Sequence, residues 1–200
     1  LAMAGMQNKA QAKLSPTAYA AQVAPWAQAA ERAYGVPASV LIAISGAGER
    51  GYPDQNDTYP AVPSGYAKRD GYWNYFDILP TDFGPIKSYS VPGSQWAYFG
   101  SPADAFLAAA YYLTHSHWYN GTAGHQINSE ADICNPDKYI QDIGLDGYDG
   151  GPNLPANNST YTGWIDTVQG YVNGYNLEQY DVSGACGNGS GGSGGSGGSI

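Results

Sequence analysis

The sequence predicts a mainly α domain, and three observations support this fold class. Apolar residues recur at helical spacing in several segments. Two of these segments begin with a Ser-Pro pair, Ser15-Pro16 and Ser101-Pro102, in which the serine suits a helix N-cap and the proline the first turn. The 200 residues, 42% of them hydrophobic, suffice for one domain with a core.

The first predicted helix runs from Ser15 to Gly35, and Pro25 is expected to break or kink it. Pro37 opens a second helix that extends to Glu49 and buries one apolar stripe, which includes Val40, Leu41, Ile44 and Ala47. Glycine, proline and polar residues between 51 and 100 predict loops and at most short strands.

Three further helices follow. The segment 103–115 is apolar nearly all round, which predicts a central position. The segments 136–143 and 161–175 complete the set, and the last is amphipathic through Trp164, Ile165, Val168, Tyr171 and Val172. Residues 1–14 are expected to be flexible, and the Gly/Ser-rich residues 187–200 form either a natural linker to a second module or virion protein, or an engineered tail.

The net charge of −9 argues against binding to nucleic acid or to an anionic membrane surface, and no apolar run is long enough to span a membrane. Cys134 and Cys186 are expected to form a disulfide, which indicates an extracellular, cell-wall or phage-virion location. No metal site and no cofactor are expected, because there is no CxxC pattern and the histidines, His115 among them, are assigned to a solvated loop.

Glu49 lies at the C-terminal edge of the second predicted helix, among small residues. Burial against apolar walls and the negative end of the helix dipole both raise a carboxyl pKa. A glutamic acid kept protonated near neutral pH can act as the general acid of a glycosidase. The alternative is a solvated carboxylate paired with Arg50.

Six strings stand out along the chain. They are Tyr34-Gly-Val-Pro-Ala-Ser39, Glu49-Arg-Gly-Tyr52, Trp73-Asn-Tyr-Phe-Asp-Ile78, Tyr98-Phe-Gly-Ser-Pro-Ala-Asp-Ala-Phe106, Tyr112-Leu-Thr-His-Ser-His-Trp-Tyr119 and Gly144-Leu-Asp-Gly-Tyr148-Asp149. Their order and spacing resemble glycoside hydrolase family 73, the bacterial and phage peptidoglycan endo-β-N-acetylglucosaminidases. The resemblance spans residues 15 to about 181 and implies a lysozyme-like helical lobe with a small loop and β lobe beside a substrate groove, within a catalytic domain of residues 15–186.

The resemblance implies a role for individual residues. Glu49 falls at the family's general acid, and Tyr148 at its active-site tyrosine. Asn74 and Phe76 match an Asn-x-Phe turn that shapes the floor of the groove. The substrate would be peptidoglycan glycan strands, with aromatic side chains lining the sugar subsites, including Tyr72, Trp73 and Tyr119.

The chain departs from the family pattern in two places. The interval from Ser45 to Glu49 holds one residue more than the family's Ser-Ala-Leu-Glu. The stretch 79–95, where a second carboxylate is expected, contains only Asp82, so Asp70, Asp54 or Asp57 could take that role, or the substrate's acetamido group could assist instead.

Three functional hypotheses follow. The first is a peptidoglycan hydrolase that cleaves the β-1,4 bond between N-acetylglucosamine and N-acetylmuramic acid, with lytic transglycosylase or muramidase action as related chemistries. The second is a non-catalytic cell-wall-binding or virion structural domain. The third is a protein-binding domain with tyrosine-rich loops.

Overall fold

The computed structural model describes residues 14–46, 73–76, 78–90, 95–115, 135–145 and 159–182. Within these ranges the chain forms five α-helices, a short 3₁₀ helix and two antiparallel strands. The elements are α1 (Pro16–Tyr34), α2 (Ala38–Ala43), β1 (Ser88–Ser90), β2 (Ala97–Phe99), α3 (Pro102–His115), α4 (Pro136–Leu145), α5 (Ser159–Gly174) and the 3₁₀ helix Leu177–Tyr180.

Helix α1 begins and ends with the predicted signals. The Ser15 side chain accepts a hydrogen bond from the Ala18 backbone N–H at 3.2 Å. Gly35 ends the helix in the left-handed conformation, with φ of 80°. The expected break at Pro25 is wrong, because α1 continues through it. Pro25 lies on the exposed side of the helix, where water can satisfy the carbonyl that its missing N–H leaves without a partner.

Helix α2 is the most enclosed element of the described fold. It contacts the other four helices and the 3₁₀ helix, and every residue from Ala38 to Gly46 is buried. The prediction of a single buried stripe is therefore wrong, since neighbours surround the helix. The α-helical part also ends sooner than expected, at Ala43, and residues 44–46 continue it as a wider π-helical turn.

A buried carboxylate, that of Glu31, and a partly buried one, that of Asp181, hold the N-terminal end of α2. Glu31 Oε2 accepts from the backbone N–H groups of Ala38 at 3.1 Å and Val182 at 2.9 Å. Asp181 accepts from the Ser39 N–H at 2.6 Å and from the Ser39 hydroxyl at 2.9 Å. These bonds satisfy N–H groups that a helix leaves free at its start. They also fix the segment after the 3₁₀ helix to the α1–α2 junction.

The small sheet packs against α3. Strands β1 and β2 pair antiparallel, with Ser88 opposite Phe99 and Ser90 opposite Ala97. Trp73 extends this arrangement by a bridge to Phe99, with N–H···O distances of 2.8 Å in both directions. The prediction of loops and short strands for this region is confirmed where the structure describes it.

The later helices complete the core. The predicted amphipathic face of α5 is confirmed, because Trp164, Ile165, Val168, Tyr171 and Val172 are all buried. Helix α3 buries one face and leaves the other partly accessible, so α2, not α3, holds the central position. The predicted fold class is confirmed as mainly α with a lysozyme-like helical lobe and a small β element.

The described residues bear on the remaining sequence predictions only in part. Leu14, assigned to the N-terminal segment, packs against the core. Residues 1–13 and 187–200 lie outside the described ranges, and the domain boundaries stay predictions. Among the helices described, none has the length and apolar character needed to cross a membrane.

The carboxylate pair at α2 predicts a pH-dependent stability. Burial raises the pKa of Glu31 above its ordinary 4.5, against the opposing effect of its two backbone hydrogen bonds, and burial likewise raises the pKa of Asp181. The folded state therefore holds these protons more tightly than the unfolded state. Stability from this source is fully present below the unfolded pKa and is lost as pH rises through the folded pKa.

In Glu31→Gln the free energy of unfolding should fall less as pH rises, because the amide does not ionise. The fold should be kept, because the neutral amide oxygen can still accept both N–H bonds. Urea denaturation at a series of pH values above 4.5 measures it. Glu31→Ala should instead lower stability at every pH by about 1–3 kcal/mol, because it leaves two backbone donors without their acceptor. Asp166→Asn, which removes an exposed carboxylate of α5, is the matched control. An unchanged slope in Glu31→Gln would contradict the prediction.

Two glycines offer a matched pair of substitutions. Gly35 and Gly84 have φ of 80° and 59°, yet a Cβ on Gly35 would meet nothing within 4 Å, whereas one on Gly84 would lie 2.5 Å from the Tyr111 ring. Gly35→Ala should cost about 1 kcal/mol of unfolding free energy through backbone strain alone. Gly84→Ala should cost about 3 kcal/mol, because overpacking adds to the strain. Equal losses in chemical denaturation would exclude the close packing of Gly84 on Tyr111.

Candidate active site

Most of the predicted site residues lie outside the described ranges, so their roles stay predictions. They are Glu49, Tyr148, Asp70, Tyr72 and Tyr119, together with the predicted disulfide partners Cys134 and Cys186. The other three, Trp73, Asn74 and Phe76, are described. The site can therefore be built from the helix that precedes Glu49 and from the turn expected to form the floor of the groove.

The end of α2 is fixed by a buried hydrogen-bond chain. The Tyr19 hydroxyl donates to Ser45 Oγ at 2.7 Å, and the Ser45 hydroxyl donates to the Ile42 carbonyl at 3.2 Å. Tyr19 and Ser45 are both fully buried. Burial raises the pKa of Tyr19 well above 10.0, so its phenol remains a donor over the whole working pH range.

The side chain of Asn74 fixes the Asn-x-Phe turn by hydrogen bonds to backbone groups. Asn74 is 3% exposed. Its amide nitrogen donates to the Ala97 carbonyl at 2.8 Å, and its amide oxygen accepts from the Phe76 N–H at 3.0 Å. Both polar atoms of Asn74 thus bond to backbone, which makes it a residue that shapes the turn. Phe76, also buried, packs edge-on against Phe106 of α3 with ring centroids 4.9 Å apart.

Trp73 forms the outer end of an aromatic stack. Its ring lies nearly parallel to that of Tyr75, with centroids 6.1 Å apart and an interplanar angle of 10°. Tyr75 is buried and packs in turn against Trp26 and Phe106. Trp73 itself is half-buried, so the core supports its ring while part of it stays accessible. A rigid, partly exposed indole of this kind suits contact with the apolar face of a sugar ring.

Helix α1 holds both parts of the candidate site. Its Tyr19 bonds to Ser45 at the end of α2, and its Trp26 packs against Tyr75 of the Trp73–Phe76 turn with ring centroids 6.4 Å apart. Tyr171 also donates to the Pro16 carbonyl at 2.8 Å, which fixes α5 to the start of α1. The end of α2, the aromatic turn and α5 are therefore all fixed to α1.

Two predicted features of the surrounding sequence lie differently from expectation. His115 ends α3, in agreement with the helix predicted over 103–115, and its ring stacks on Tyr111 with centroids 4.0 Å apart, so its assignment to a solvated loop is wrong. The carboxylate of Asp82, the candidate second carboxylate in the stretch 79–95, accepts from the Gly84 N–H at 2.8 Å. It is thus hydrogen-bonded within an exposed turn. Within the described residues, no group of three or more potential metal ligands occurs.

Sequence reasoning missed the polar groups that hold α2 in place. Tyr19 lies within the first predicted helix, where nothing in the sequence singles it out, and Ser45 enters only as the start of the interval that departs from the family spacing. Tyr19 and Ser45 are 26 positions apart in the chain, so no local pattern indicates their hydrogen bond. The same is true of Ser39 and Asp181, which are 142 positions apart.

No protein-family profile matches the chain, and no curated protein matches it significantly. Solved structures do match. The N-acetylmuramoyl-L-alanine amidase from Staphylococcus aureus aligns at a TM-score of 0.50 and 12% identity, over 90% of this chain and 48% of that one. The chain thus spans about half the length of the Staphylococcus structure.

Two shorter matched structures are covered almost completely. The catalytic domain of the autolysin Auto from Listeria monocytogenes aligns at a TM-score of 0.45 and 15% identity, over 86% of this chain and 92% of that one. The glycoside hydrolase domain of FlgJ from Salmonella typhimurium aligns at 0.41 and 16% identity, over 82% and 94%. The alignment with the Staphylococcus structure confirms the resemblance predicted from the sequence motifs at the level of the fold alone.

Proposed function

We propose that this protein is a peptidoglycan hydrolase that cleaves the β-1,4 bond between N-acetylglucosamine and N-acetylmuramic acid, with Glu49 as the general acid. The observation that carries the proposal is that α1 contacts both α2, which leads to Glu49, and the Trp73–Phe76 turn. The contacts are the Tyr19–Ser45 hydrogen bond and the packing of Trp26 on Tyr75. The sequence resemblance places a catalytic glutamate and a groove floor in these same two segments. The described contacts bring the segments together in space.

The chemistry asked of Glu49 is proton donation to the glycosidic oxygen while an oxocarbenium-like sugar forms. Such a group needs a raised pKa and a fixed position more than it needs nucleophilicity. The helix that leads to it is enclosed on all sides and held at both ends, so it can fix a side chain beyond its end. Tyr148 is proposed to support the sugar by hydrogen bonding.

The second carboxylate is proposed to be Asp70, with Asp54 and Asp57 as alternatives. Its distance from Glu49 determines the stereochemical outcome. About 5–5.5 Å between the carboxyl groups fits a retaining mechanism and about 6.5–9.5 Å an inverting one. A larger distance would favour assistance from the acetamido group of the substrate.

The proposed substrate and location agree with the fold comparison. The Staphylococcus structure is named for an N-acetylmuramoyl substrate, and N-acetylmuramic acid is one of the two sugars at the bond proposed for this chain. We infer an extracellular or cell-wall location from this substrate. A partner module attached through residues 187–200, a Cys134–Cys186 disulfide and a virion origin are further proposals, supported by the sequence alone.

Glu49→Gln should abolish glycan cleavage, because the amide keeps the size of the side chain but cannot supply the proton. The expected loss is roughly 10²–10⁴-fold in kcat. Release of soluble fragments from purified peptidoglycan measures it, with binding to insoluble peptidoglycan expected to persist. Glu178→Gln, an exposed carboxylate of the 3₁₀ helix, is the control and should stay active.

Mass spectrometry of the released fragments separates the related chemistries. Reducing N-acetylglucosamine ends support the proposed bond, reducing muramic acid ends indicate a muramidase, and 1,6-anhydro ends indicate a lytic transglycosylase. Equal activity of wild type and Glu49→Gln would rule out Glu49 as the acid. Binding without any cleavage would favour the non-catalytic wall-binding hypothesis, and absence of both would favour the protein-binding one.

Trp73→Ala should raise KM for a soluble glycan about tenfold, which corresponds to about 1.4 kcal/mol of binding free energy. The indole would no longer offer a supported face to the sugar. Trp73→Phe should lose less, because a phenyl ring can keep the stack on Tyr75. Steady-state kinetics on a defined oligosaccharide measure both variants, and an unchanged KM in Trp73→Ala would exclude this ring from the subsites.

A further inference from the structure

A short strap, residues 177–182, follows α5 and lies against the start of α2. Leu177 is its one buried residue, whereas Glu178 and Gln179 are exposed and the last three residues are half-buried. Asn176, directly before the strap, has φ of 51° and ψ of 49°, a left-handed conformation that interrupts regular helix. The strap is therefore a unit separate from α5, with little buried apolar surface and a break in the backbone at its base.

The strap is joined to α1 and α2 through polar groups. The Val182 N–H donates to Glu31 of α1 at 2.9 Å. Asp181 accepts from both the N–H and the hydroxyl of Ser39 in α2, at 2.6 and 2.9 Å. Gln28 of α1 adds a fourth bond, at 2.9 Å, to a strap carbonyl. Two ionisable carboxyl groups thus take part in three of these four bonds.

The strap can close on α2 whether or not these carboxyl groups are protonated. The carbonyl oxygen of a protonated Glu31 still accepts from N–H groups, and the Ser39 hydroxyl can donate to an ionised Asp181 or accept from a protonated one. Ionisation adds two negative charges to a junction at which α2 contributes no charged residue. The cost of placing these charges there therefore decides how firmly the strap closes.

The surroundings of the closed strap oppose ionisation. Burial raises the pKa of Glu31 and that of Asp181, against the opposing effect of their hydrogen bonds. The charge of Asp181 raises the pKa of Glu31 further and Arg32 of α1 lowers it, while Glu178 raises the pKa of Asp181. In an open strap both groups would gain contact with water and return towards their ordinary values of 4.5 and 3.8. Closure is therefore fully favoured below those values and weakens as pH rises through the raised ones.

We propose that residues 177–182 form a pH-sensitive strap, which stays closed on α2 while Glu31 and Asp181 carry protons and swings out about Asn176 when both are ionised. The motion is local, because Leu177 is the one buried residue that it exposes. Opening frees N–H groups at the start of α2. It also adds up to about 20 Å to the reach of the chain beyond residue 182, at about 3.3 Å for each extended residue. The strap does not depend on the proposed catalysis.

Amide hydrogen exchange in wild type tests the strap, followed by NMR from about pH 4 to 8 and corrected for the intrinsic exchange rate at each pH. The protection of the Ser39 and Val182 N–H groups should fall about tenfold for each pH unit over which one carboxyl is protonated in the closed strap and ionised in the open one. Val182 should also stay roughly 10²-fold less protected than the Phe99 N–H, which bonds to the Trp73 carbonyl in a part of the fold that remains closed. Dilute urea should leave the protection of Val182 unchanged, because a local opening exposes little surface.

A double variant tests the carboxyl groups. Glu31→Gln/Asp181→Asn keeps the acceptor oxygens but cannot ionise, so the protection of the two N–H groups should no longer fall with pH. Asp166→Asn removes an exposed carboxylate of α5 and is the matched control, in which the fall should equal that of wild type.

A matched pair of substitutions tests the hinge. Asn176→Val places a β-branched residue in the left-handed conformation that the closed strap imposes, so it should lower the protection of the Val182 N–H about tenfold at every pH. The Val172 N–H, within α5, should keep its wild-type protection. Asn176→Gly tolerates the same conformation and should leave both amides close to wild type.

The remaining outcomes would each overturn part of the proposal. Equal protection of the Val182 and Phe99 N–H groups would mean that the strap opens only when the whole fold unfolds. A protection of Val182 that is independent of pH in wild type, or a fall that persists in the double variant, would exclude the carboxyl groups as the switch. Equal losses at Val172 and Val182 in Asn176→Val would exclude a hinge at Asn176. None of these measurements uses glycan cleavage, so an active Glu49→Gln would contradict the proposed function and leave the strap intact.

Discussion

The described fold depends on the complete burial of a single short helix. Helix α2 has no solvent-facing side, so each polar group at its ends requires a partner from another element. At its N-terminal end these partners are Glu31 and Asp181, and at its C-terminal end the partner is Tyr19. An unpaired donor or acceptor there would cost about 1–3 kcal/mol. The elements that provide these partners are thereby placed around α2, and a central helix held at both ends can direct whatever follows it.

The two ends of α2 are held by groups of different chemistry. Two carboxylates, their pKa values raised by burial, accept the free N–H groups at its start. The C-terminal end of α2 is held by the neutral phenol of Tyr19, whose pKa is raised well above 10.0 by burial. The start of the helix therefore responds to pH as the carboxylates ionise, whereas the end that leads to the proposed acid does not. A glycosidase needs this separation, because its acid must keep a fixed position over the pH range in which it acts.

The sequence predicted those parts of the fold that depend on local signals. The Ser15 cap, the Gly35 stop, the apolar face of α5 and the short strands are each specified within a few residues, and the structure confirms them. The break considered at Pro25 does not occur, because a proline disrupts a helix less where water can satisfy the freed carbonyl. The enclosure of α2 was misjudged because periodicity shows which side of a helix is apolar, whereas neighbours decide how much of it is covered. Contacts between positions such as Tyr19 and Ser45, or Ser39 and Asp181, leave no local trace. For the candidate site, the sequence supplied Trp73, Asn74 and Phe76 but not the hydrogen bonds and ring contacts that fix them.

In one short segment, Asn74 shapes the turn while Trp73 carries the sugar contact that we propose. Asn74 uses both ends of its amide on backbone groups, which fixes the turn without leaving a polar atom for a ligand. The adjacent Trp73 is paired to Phe99 through its backbone alone, so its side chain is free of that task. Its ring rests on Tyr75, which is itself packed against α1 and α3. Little conformational entropy remains for a sugar to remove when it binds such a ring. A preorganised aromatic surface and a helix end fixed by buried hydrogen bonds are what the proposed site requires, because it must hold a stiff polysaccharide in one register against one acid.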